Sequence, residues 1–168
     1  YEAMTIAAEK GLTVMSHAED MDLSPIDYRL AENLETVRNI YIAEATGAKL
    51  HMCHVSTKEA MEEILRAKDR GVKVTSEVTP HHIWFYDNGF RVNPPIRAKA
   101  DVEYLIEAMA AGRVEAIGTD GGSGNRLQRV LHKAVPPVRP AFGDAVPHDE
   151  QGPGRDPGLE QRPSGRRV

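Results

Sequence analysis

Three residues that could bind a divalent cation each stand at the end of a short apolar run. His17 ends GLTVMSH, His54 ends AKLHMCH and Asp120 ends VEAIGTD. Imidazole and carboxylate groups are ligands that zinc accepts, and zinc lowers the pKa of a bound water toward about 7. A carboxylate beside the metal can also move a proton between water and a leaving group. The pattern therefore predicts a hydrolytic metal centre with His17, His54 and Asp120 as ligands and Asp120 as the catalytic residue.

Each of these residues also has a plainer interpretation. A histidine at the end of a strand is more often packed or solvent-facing than a ligand, and a carboxylate there often just begins a loop. The next carboxylates, Glu19 and Asp20, could orient the imidazole of His17 or simply lie in the loop. Strand alternation in HMCH places His51 and Cys53 on one face. We expect a core or helix-facing position for His51 and a small buried residue at Cys53.

Two further segments could contribute to the same site. In FRVNPPIR the two prolines predict a rigid, extended chain, and the amide of Asn93 suits a carboxylate or amide on a ligand. The alternative is that NPP is only a turn. In EVTPHH a strand-end glutamate precedes a proline turn, and either His81 or His82 could reach the site, although histidines in turns are mostly structural or exposed.

The elements that would position these residues alternate between helix and strand. Ser56 and Thr57 are candidate caps for the helix that follows them, Gly47 and Gly71 are candidate helix ends, and Asp101 is a candidate helix start. The predicted helices cover residues 1–10, 25–46, 57–70 and 101–111, and the predicted strands cover residues 12–17, 49–54, 72–78 and 116–119. Strict alternation with apolar strands predicts an α/β fold with a parallel sheet. Four strands make about half of a β/α barrel, in which the carboxyl ends of the strands meet at one mouth.

Composition divides the chain at residue 120. Of the 168 residues, the first 120 carry a charge of −7 and the remaining 48 a charge of +3; that second part holds 7 of the 11 prolines and 8 of the 14 glycines. We therefore expect one domain over 1–120 and an irregular or disordered tail over 121–168. The balance of charge gives no sign of nucleic-acid binding, and no apolar run could span a membrane. The lone Cys53 is typical of a reducing compartment, which predicts a cytoplasmic protein.

The order and spacing of SHAED, HMCHVST, EVTPHH, FRVNPPIR and IGTD resemble the dihydroorotases of the amidohydrolase superfamily. Hydantoinases and allantoinases are similar around HAE, HVS and PPIR and remain alternatives. The resemblance implies a partial TIM (β/α)8 barrel, roughly strands 5 to 8 with their helices. It also implies one or two zinc ions and reversible hydrolysis of dihydroorotate to N-carbamoyl-aspartate in pyrimidine synthesis.

Carried over residue by residue, the resemblance assigns His17 and His54 to the metal histidines of strands 5 and 6. It assigns Asp120 to the aspartate of strand 8, which binds metal and moves the proton, and Asn93 to a substrate-binding asparagine. A second interpretation is a non-catalytic, dihydroorotase-like structural partner of aspartate transcarbamoylase, a class that typically loses metal ligands. Self-association into a homo-oligomer is compatible with either.

The chain departs from the family pattern at both ends. The family's His-x-His pair and the bridging ligand of strand 4 would lie upstream of Tyr1, and Gly121 and Gly122 replace the HAPH that follows IGTD in the family. With suitable codons, residues 122–167 read one base later spell a segment containing LETAFS and TNKAR, which resembles the family's C-terminal region. We therefore expect a frame change after Asp120, and a chain that as written has no dihydroorotase activity.

Overall fold

The computed structural model describes residues 1–119. Asp120 and the predicted tail over 121–168 lie outside the described residues, so their assignments stay predictions. The helices are α1 (Glu2–Glu9), α2 (Tyr28–Thr46), α3 (Lys58–Asp69), α4 (Pro80–Trp84) and α5 (Lys99–Ala110). The strands are β1 (Thr13–Ser16), β2 (Lys49–Met52), β3 (Val74–Val78) and β4 (Ala116–Ile117). No helix within this part of the chain is long and apolar enough to cross a bilayer.

The strands form a parallel sheet in the order β1-β2-β3-β4. Ser16 at the end of β1 is paired with Met52 at the end of β2. Leu50 is paired with Val74, and Val78 with Ile117. Because every pair is parallel and each strand neighbours the next one in the chain, all carboxyl ends lie along one edge. The predicted α/β fold with a parallel sheet is confirmed.

The core lies between the helices and one face of the sheet. Leu50 and Met52 on β2 are at most 1% exposed, and they belong to one apolar cluster with Ile40 of α2, Ile64 of α3 and Leu105 of α5. Leu50 and Met52 stand at alternate positions of the strand, and one buried position of each helix faces them, as expected for helices packed on a sheet. The opposite face of the sheet therefore carries His51 and Cys53.

Caps define the ends of the two longer helices near the site. Asp27 begins α2 by accepting a hydrogen bond from the nitrogen of Leu30 at 2.9 Å, and Thr57 begins α3 by accepting from the nitrogen of Ala60 at 3.2 Å. Gly47 ends α2 with φ of +71°, a left-handed conformation that favours glycine. The predicted caps at Thr57 and Gly47 are confirmed. The predicted start of α2 at residue 25 was too early, because Asp27 is the residue that caps it.

Two other local predictions were wrong. Residues 80–84 form the short helix α4, capped by Thr79 and opened by Pro80, where a turn was expected. Proline at the first helical position is favourable, since its missing N–H would have no partner there. Asp101 does not open α5, which already begins at Lys99. Its carboxylate instead accepts hydrogen bonds from Arg29 and from the nitrogen of Lys58 at 2.9 Å.

Candidate metal and substrate site

His17 and His54 meet at the carboxyl edge of the sheet. His17 directly follows β1, and His54 lies two residues beyond β2, so the pairing of Ser16 with Met52 brings both to the same edge. Nδ1 of His17 lies 2.9 Å from Nε2 of His54. Two nitrogens bound tetrahedrally to one zinc ion at about 2.1 Å each would be about 3.4 Å apart. The pair fits a shared cation after a shift of a few tenths of an ångström.

An unusual backbone turn directs His54 to this edge. Its φ is +36°, in the left-handed region that L-residues rarely adopt. The chain on both sides is held: the nitrogen of Cys53 donates to the oxygen of Ser16 at 2.9 Å, and the nitrogen of Val55 donates to the oxygen of Glu77 at 2.9 Å. The nitrogen of His54 itself donates to the Glu77 carboxylate at 3.3 Å. The surrounding structure therefore imposes a conformation that His54 alone would disfavour.

The carboxylate of Glu19 fixes the orientation of His17. Nε2 of His17 lies 2.8 Å from Oε2 of Glu19. This hydrogen bond is the main cause that lowers the pKa of Glu19 to about 2. Because the ionised carboxylate can only accept, Nε2 of His17 carries the hydrogen and Nδ1 presents its lone pair toward His54. Of the two alternatives for Glu19, the structure favours the orienting role. Asp20 instead accepts from the nitrogens of Asp22 and Leu23 within its loop.

Asn93 joins the same group of residues. Its Nδ2 donates to Oε2 of Glu19 at 3.2 Å, and its Oδ1 accepts a hydrogen bond from the hydroxyl of Tyr28. Burial, followed by the nearby Glu19 carboxylate, raises the pKa of Tyr28, so this hydroxyl keeps its proton. These partners set the orientation of the amide, which leaves one N–H of Asn93 available to a ligand.

A buried ion pair anchors the NPPIR segment that carries Asn93. Arg97 donates from Nη2 to Oε2 of Glu32 at 2.8 Å and from Nε to Oγ of Ser56 at 2.9 Å. Glu32 is 2% exposed and also accepts from the nitrogen of Ser56 at 2.8 Å. Ser56 thus serves this network, and the prediction that it caps α3 together with Thr57 was wrong. The Arg97 guanidinium also lies over the ring of Tyr28, 5.6 Å from its centroid.

His82 holds the same segment through a hydrogen bond to its backbone. Its Nε2 lies 2.9 Å from the carbonyl oxygen of Pro94, and its Nδ1 lies 2.8 Å from Oγ1 of Thr79. A carbonyl only accepts, so Nε2 carries the hydrogen and Nδ1 accepts from the hydroxyl. Burial lowers the pKa of His82 to about 3, which keeps the ring neutral. His82 therefore has a structural role, as most histidines in turns do, and does not reach the metal site. The ring of His81 packs against it with 4.4 Å between the ring centroids.

His51 and Cys53 lie on the face of the sheet away from the helices. Both are half-buried, whereas their neighbours Leu50 and Met52 are buried in the core. The predicted alternation along β2 is confirmed. The core or helix-facing position expected for His51 was wrong, and Cys53 is less buried than expected. Glu77, on the neighbouring strand β3, lies beside His51 on this face.

The structure thus brings His17, His54 and Asn93 together around Glu19, within the part of the chain that it describes. Asp120 lies outside that part. Tyr28 and the Glu32–Arg97 pair were not predicted from the sequence. Tyr28 stands at a helix start without a motif around it, and Glu32 has the sequence setting of an exposed helical residue. The prolines of NPPIR were the one available signal that this segment is held rigidly.

Comparison with known proteins finds relatives that match the chain over part of their own length. No protein-family model matches the chain. The dihydroorotase of Clostridium botulinum is 54% identical over 121 residues, which are 71% of this chain and 30% of that protein. The dihydroorotase of Caldanaerobacter subterraneus is 50% identical over 99 residues, 55% of this chain and 23% of that protein. The chain therefore spans about a third or less of these relatives.

Solved structures agree with the sequence relatives on the architecture. A D-hydantoinase from Thermus sp. superposes with a TM-score of 0.67 at 26% identity, over 71% of this chain and 32% of that protein. The dihydropyrimidinase of Brevibacillus agri shares the fold with a TM-score of 0.67 at 22% identity, over 77% of this chain and 35% of that protein. The described sheet is part of the barrel that these amidohydrolases share. Over the segment that it shares with these relatives, the chain is a homologue of the dihydroorotases, within the cyclic amidohydrolases.

Proposed function

We propose that this chain supplies part of the active site of a dihydroorotase, which hydrolyses the cyclic amide of dihydroorotate to N-carbamoyl-aspartate in a reversible step of pyrimidine synthesis. The observation that carries the proposal is the meeting of His17, His54 and Asn93 at one edge of the sheet, with 2.9 Å between the two imidazoles. The 54% identity to a dihydroorotase supports this substrate over other cyclic amides.

The donor set fits zinc. His17 would bind through Nδ1 and His54 through Nε2, and Asp120 is the proposed third ligand. The hydrogen bond from His17 to Glu19 is the arrangement that orients a metal-binding imidazole and raises its basicity. A zinc ion held there would supply Lewis-acid chemistry at the amide carbonyl and at water. The active site of the intact enzyme would hold one or two zinc ions.

Side chains would bind the substrate, transfer the proton and hold the site in position. Asn93 would donate its available N–H to an oxygen of the substrate, at an angle set by Tyr28 and Glu19. Asp120 would accept a proton from the attacking water and return it to the leaving amide. Glu32 and Arg97 would hold the Asn93 segment in place through the buried ion pair. Dihydroorotate and carbamoyl aspartate are the proposed small-molecule partners, and the cytoplasm is the proposed location.

Two alternatives have specific support. The enzymes of known structure that resemble this chain are named for hydantoins or dihydropyrimidines, which favours a related cyclic amidohydrolase. Their sequence identity of 22–26%, however, is far below the 54% of the Clostridium botulinum dihydroorotase. A non-catalytic partner of aspartate transcarbamoylase would agree with Gly121 and Gly122 in place of HAPH. Against that alternative, His17 and His54 are both present and adjacent.

A chimera tests the proposal. Residues 1–120 of this chain replace the matching segment of the Clostridium botulinum dihydroorotase, which supplies the rest of the barrel. We expect the purified, zinc-loaded chimera to hydrolyse dihydroorotate. Hydantoin and allantoin are tested as alternative substrates in parallel assays. His17→Asn in the chimera should abolish turnover, and Glu9→Gln, an exposed change on α1, should leave it unaltered.

Each outcome assigns one of the candidate functions. A preference for hydantoin or allantoin would show that the chain belongs to a hydantoinase or an allantoinase instead. A folded chimera that binds zinc and turns over none of the three substrates would reject catalysis and favour the structural partner. Circular dichroism and the zinc content of the purified chimera distinguish that result from misfolding.

A further inference from the structure

A second group of possible metal ligands lies on the face of the sheet opposite the helices. The ligand atoms of His51, Cys53 and Glu77 all lie within 4.8 Å of one another. His51 and Cys53 are two residues apart on one chain, and Glu77 is on the neighbouring strand β3, so the sheet itself brings them together. None of the three is proposed as a ligand of the His17–His54 site. All are half-buried, which partly shields them from water.

The environment of His51 directs one ring nitrogen toward Glu77. Nδ1 lies 2.8 Å from Oγ1 of Thr75, and that hydroxyl in turn can donate to the carbonyl oxygen of Leu50 at 3.4 Å. With Thr75 donating to Leu50, Nδ1 carries the hydrogen and Nε2 presents its lone pair. A hydrogen bond from a ligating imidazole to an oxygen is the usual way in which proteins orient a metal-binding histidine.

The distance between His51 and Glu77 suits two ligands of one ion. Nε2 lies 3.4 Å from Oε2 of Glu77, whereas a charge-assisted hydrogen bond would bring them to about 2.8 Å. Two ligands at about 2.1 Å from a tetrahedral ion are about 3.4 Å apart. The other oxygen of Glu77 accepts from the nitrogen of His54, which fixes the carboxylate in this position.

We propose that His51, Cys53 and Glu77 form a second cation site, which takes a borderline, thiophilic divalent ion such as Zn²⁺ or Co²⁺. Imidazole, thiolate and carboxylate are together selective for such ions over Mg²⁺ or Ca²⁺. Binding releases the thiol proton of Cys53 to solvent, and water completes the coordination. The site does not depend on the proposed function, because none of its ligands is assigned a role in the hydrolysis.

A cobalt titration of the full 168-residue chain tests this site. Cys53 is the only cysteine of the chain, so a sulfur-to-cobalt charge-transfer band can arise from no other residue. We expect the band to saturate at one Co²⁺ per chain in a phosphine-reduced sample. It should disappear in Cys53→Ser and persist in His17→Asn, which alters only the other site.

Three further variants distinguish cobalt binding by all three residues from binding by the thiol of Cys53 alone. His51→Gln and Glu77→Gln should each weaken cobalt binding at least about tenfold, while Glu9→Gln should not change it. Gly118→Ala keeps all three ligands, but its Cβ would lie 2.5 Å from Oε1 of Glu77 and must displace the carboxylate, so it should also weaken binding. Circular dichroism verifies that each variant is folded.

The proposal fails on either of two results. The absence of a sulfur-to-cobalt band in the folded parent chain would show that Cys53 does not ligate the ion. Equal cobalt affinity in the parent, His51→Gln and Glu77→Gln would show that the thiol alone binds. Neither result would bear on the dihydroorotase proposal, because the chimera assay measures turnover at the His17–His54 site.

Discussion

Oε1 of Glu77 lies 3.3 Å from the backbone nitrogen of His54, the residue whose φ of +36° turns the chain from β2 toward the carboxyl edge. The Glu77 carboxylate on β3 thereby stabilises the left-handed turn that follows the preceding strand, β2. The imidazole of His54 reaches His17 because of this turn, so the geometry of the candidate metal site depends on a side chain that is not proposed as one of its ligands.

The left-handed conformation of His54 can be tested with a matched pair of variants. His54→Gly and His54→Ala both remove the imidazole, but only alanine retains a Cβ that disfavours positive φ. We expect His54→Gly to be more stable than His54→Ala by about 1 kcal/mol in urea denaturation of the full chain. Equal stability, or a more stable alanine variant, would contradict the backbone conformation described here.

The Glu32–Arg97 pair should make a large contribution to stability. Arg97→Met leaves the carboxylate of Glu32, which is 2% exposed, without its charged partner. Breaking a buried pair in this way costs about 3–5 kcal/mol. The control is Arg66→Met, which removes an arginine whose side chain is 60% exposed and should change stability by less than about 0.5 kcal/mol. Similar effects of the two variants on urea denaturation would contradict the assignment.

His82 should make the protein less stable in acid. Its folded pKa of about 3 is below the ordinary value of 6.5, so between these pH values the unfolded chain binds a proton that the folded chain does not. Its contribution to stability is therefore complete above pH 6.5 and declines as pH falls toward 3, with a limiting slope of about 1.4 kcal/mol per pH unit.

The variant His82→Gln isolates this effect. Glutamine cannot take up a proton, so the difference in unfolding free energy between parent and variant should shrink as pH falls from 7 to 4. Paired urea denaturations across that range measure it. A difference that stays constant with pH would mean that His82 has the same pKa in the folded and the unfolded chain, which would contradict the lowered pKa.

Tyr28 should act on the substrate through Asn93. In the chimera, Tyr28→Phe removes the hydroxyl that fixes the Asn93 amide, while the ring beneath Arg97 stays in place. Loss of one hydrogen bond of about 1 kcal/mol predicts a KM for dihydroorotate raised about fivefold with little change in kcat. Tyr41→Phe, at a tyrosine that is 64% exposed, is the control. A fall in kcat at unchanged KM would place Tyr28 in the chemical step instead.

The sequence predicted the elements better than the contacts between them. Apolar periodicity and the caps at Thr57 and Gly47 placed the strands and the main helices, and parallel pairing then implied that His17 and His54 would meet. The network around Asn93 was not predictable in the same way. Tyr28 and Glu32 lie 65 residues before the partners that they bind, and no local pattern encodes a contact at that separation.

The order of the strands has a consequence for how the chain acquires its structure. Thr13 pairs with Lys49, Leu50 with Val74 and Glu77 with Ala116, so each strand needs only its immediate predecessor as a template. Contacts between neighbouring units cost less loop-closure entropy than contacts between distant ones. The sheet can therefore grow one strand and one helix at a time while the ribosome is still adding residues. Within the described residues, the His17–His54 pair would be complete once the third strand, which carries Glu77, has docked beside the second.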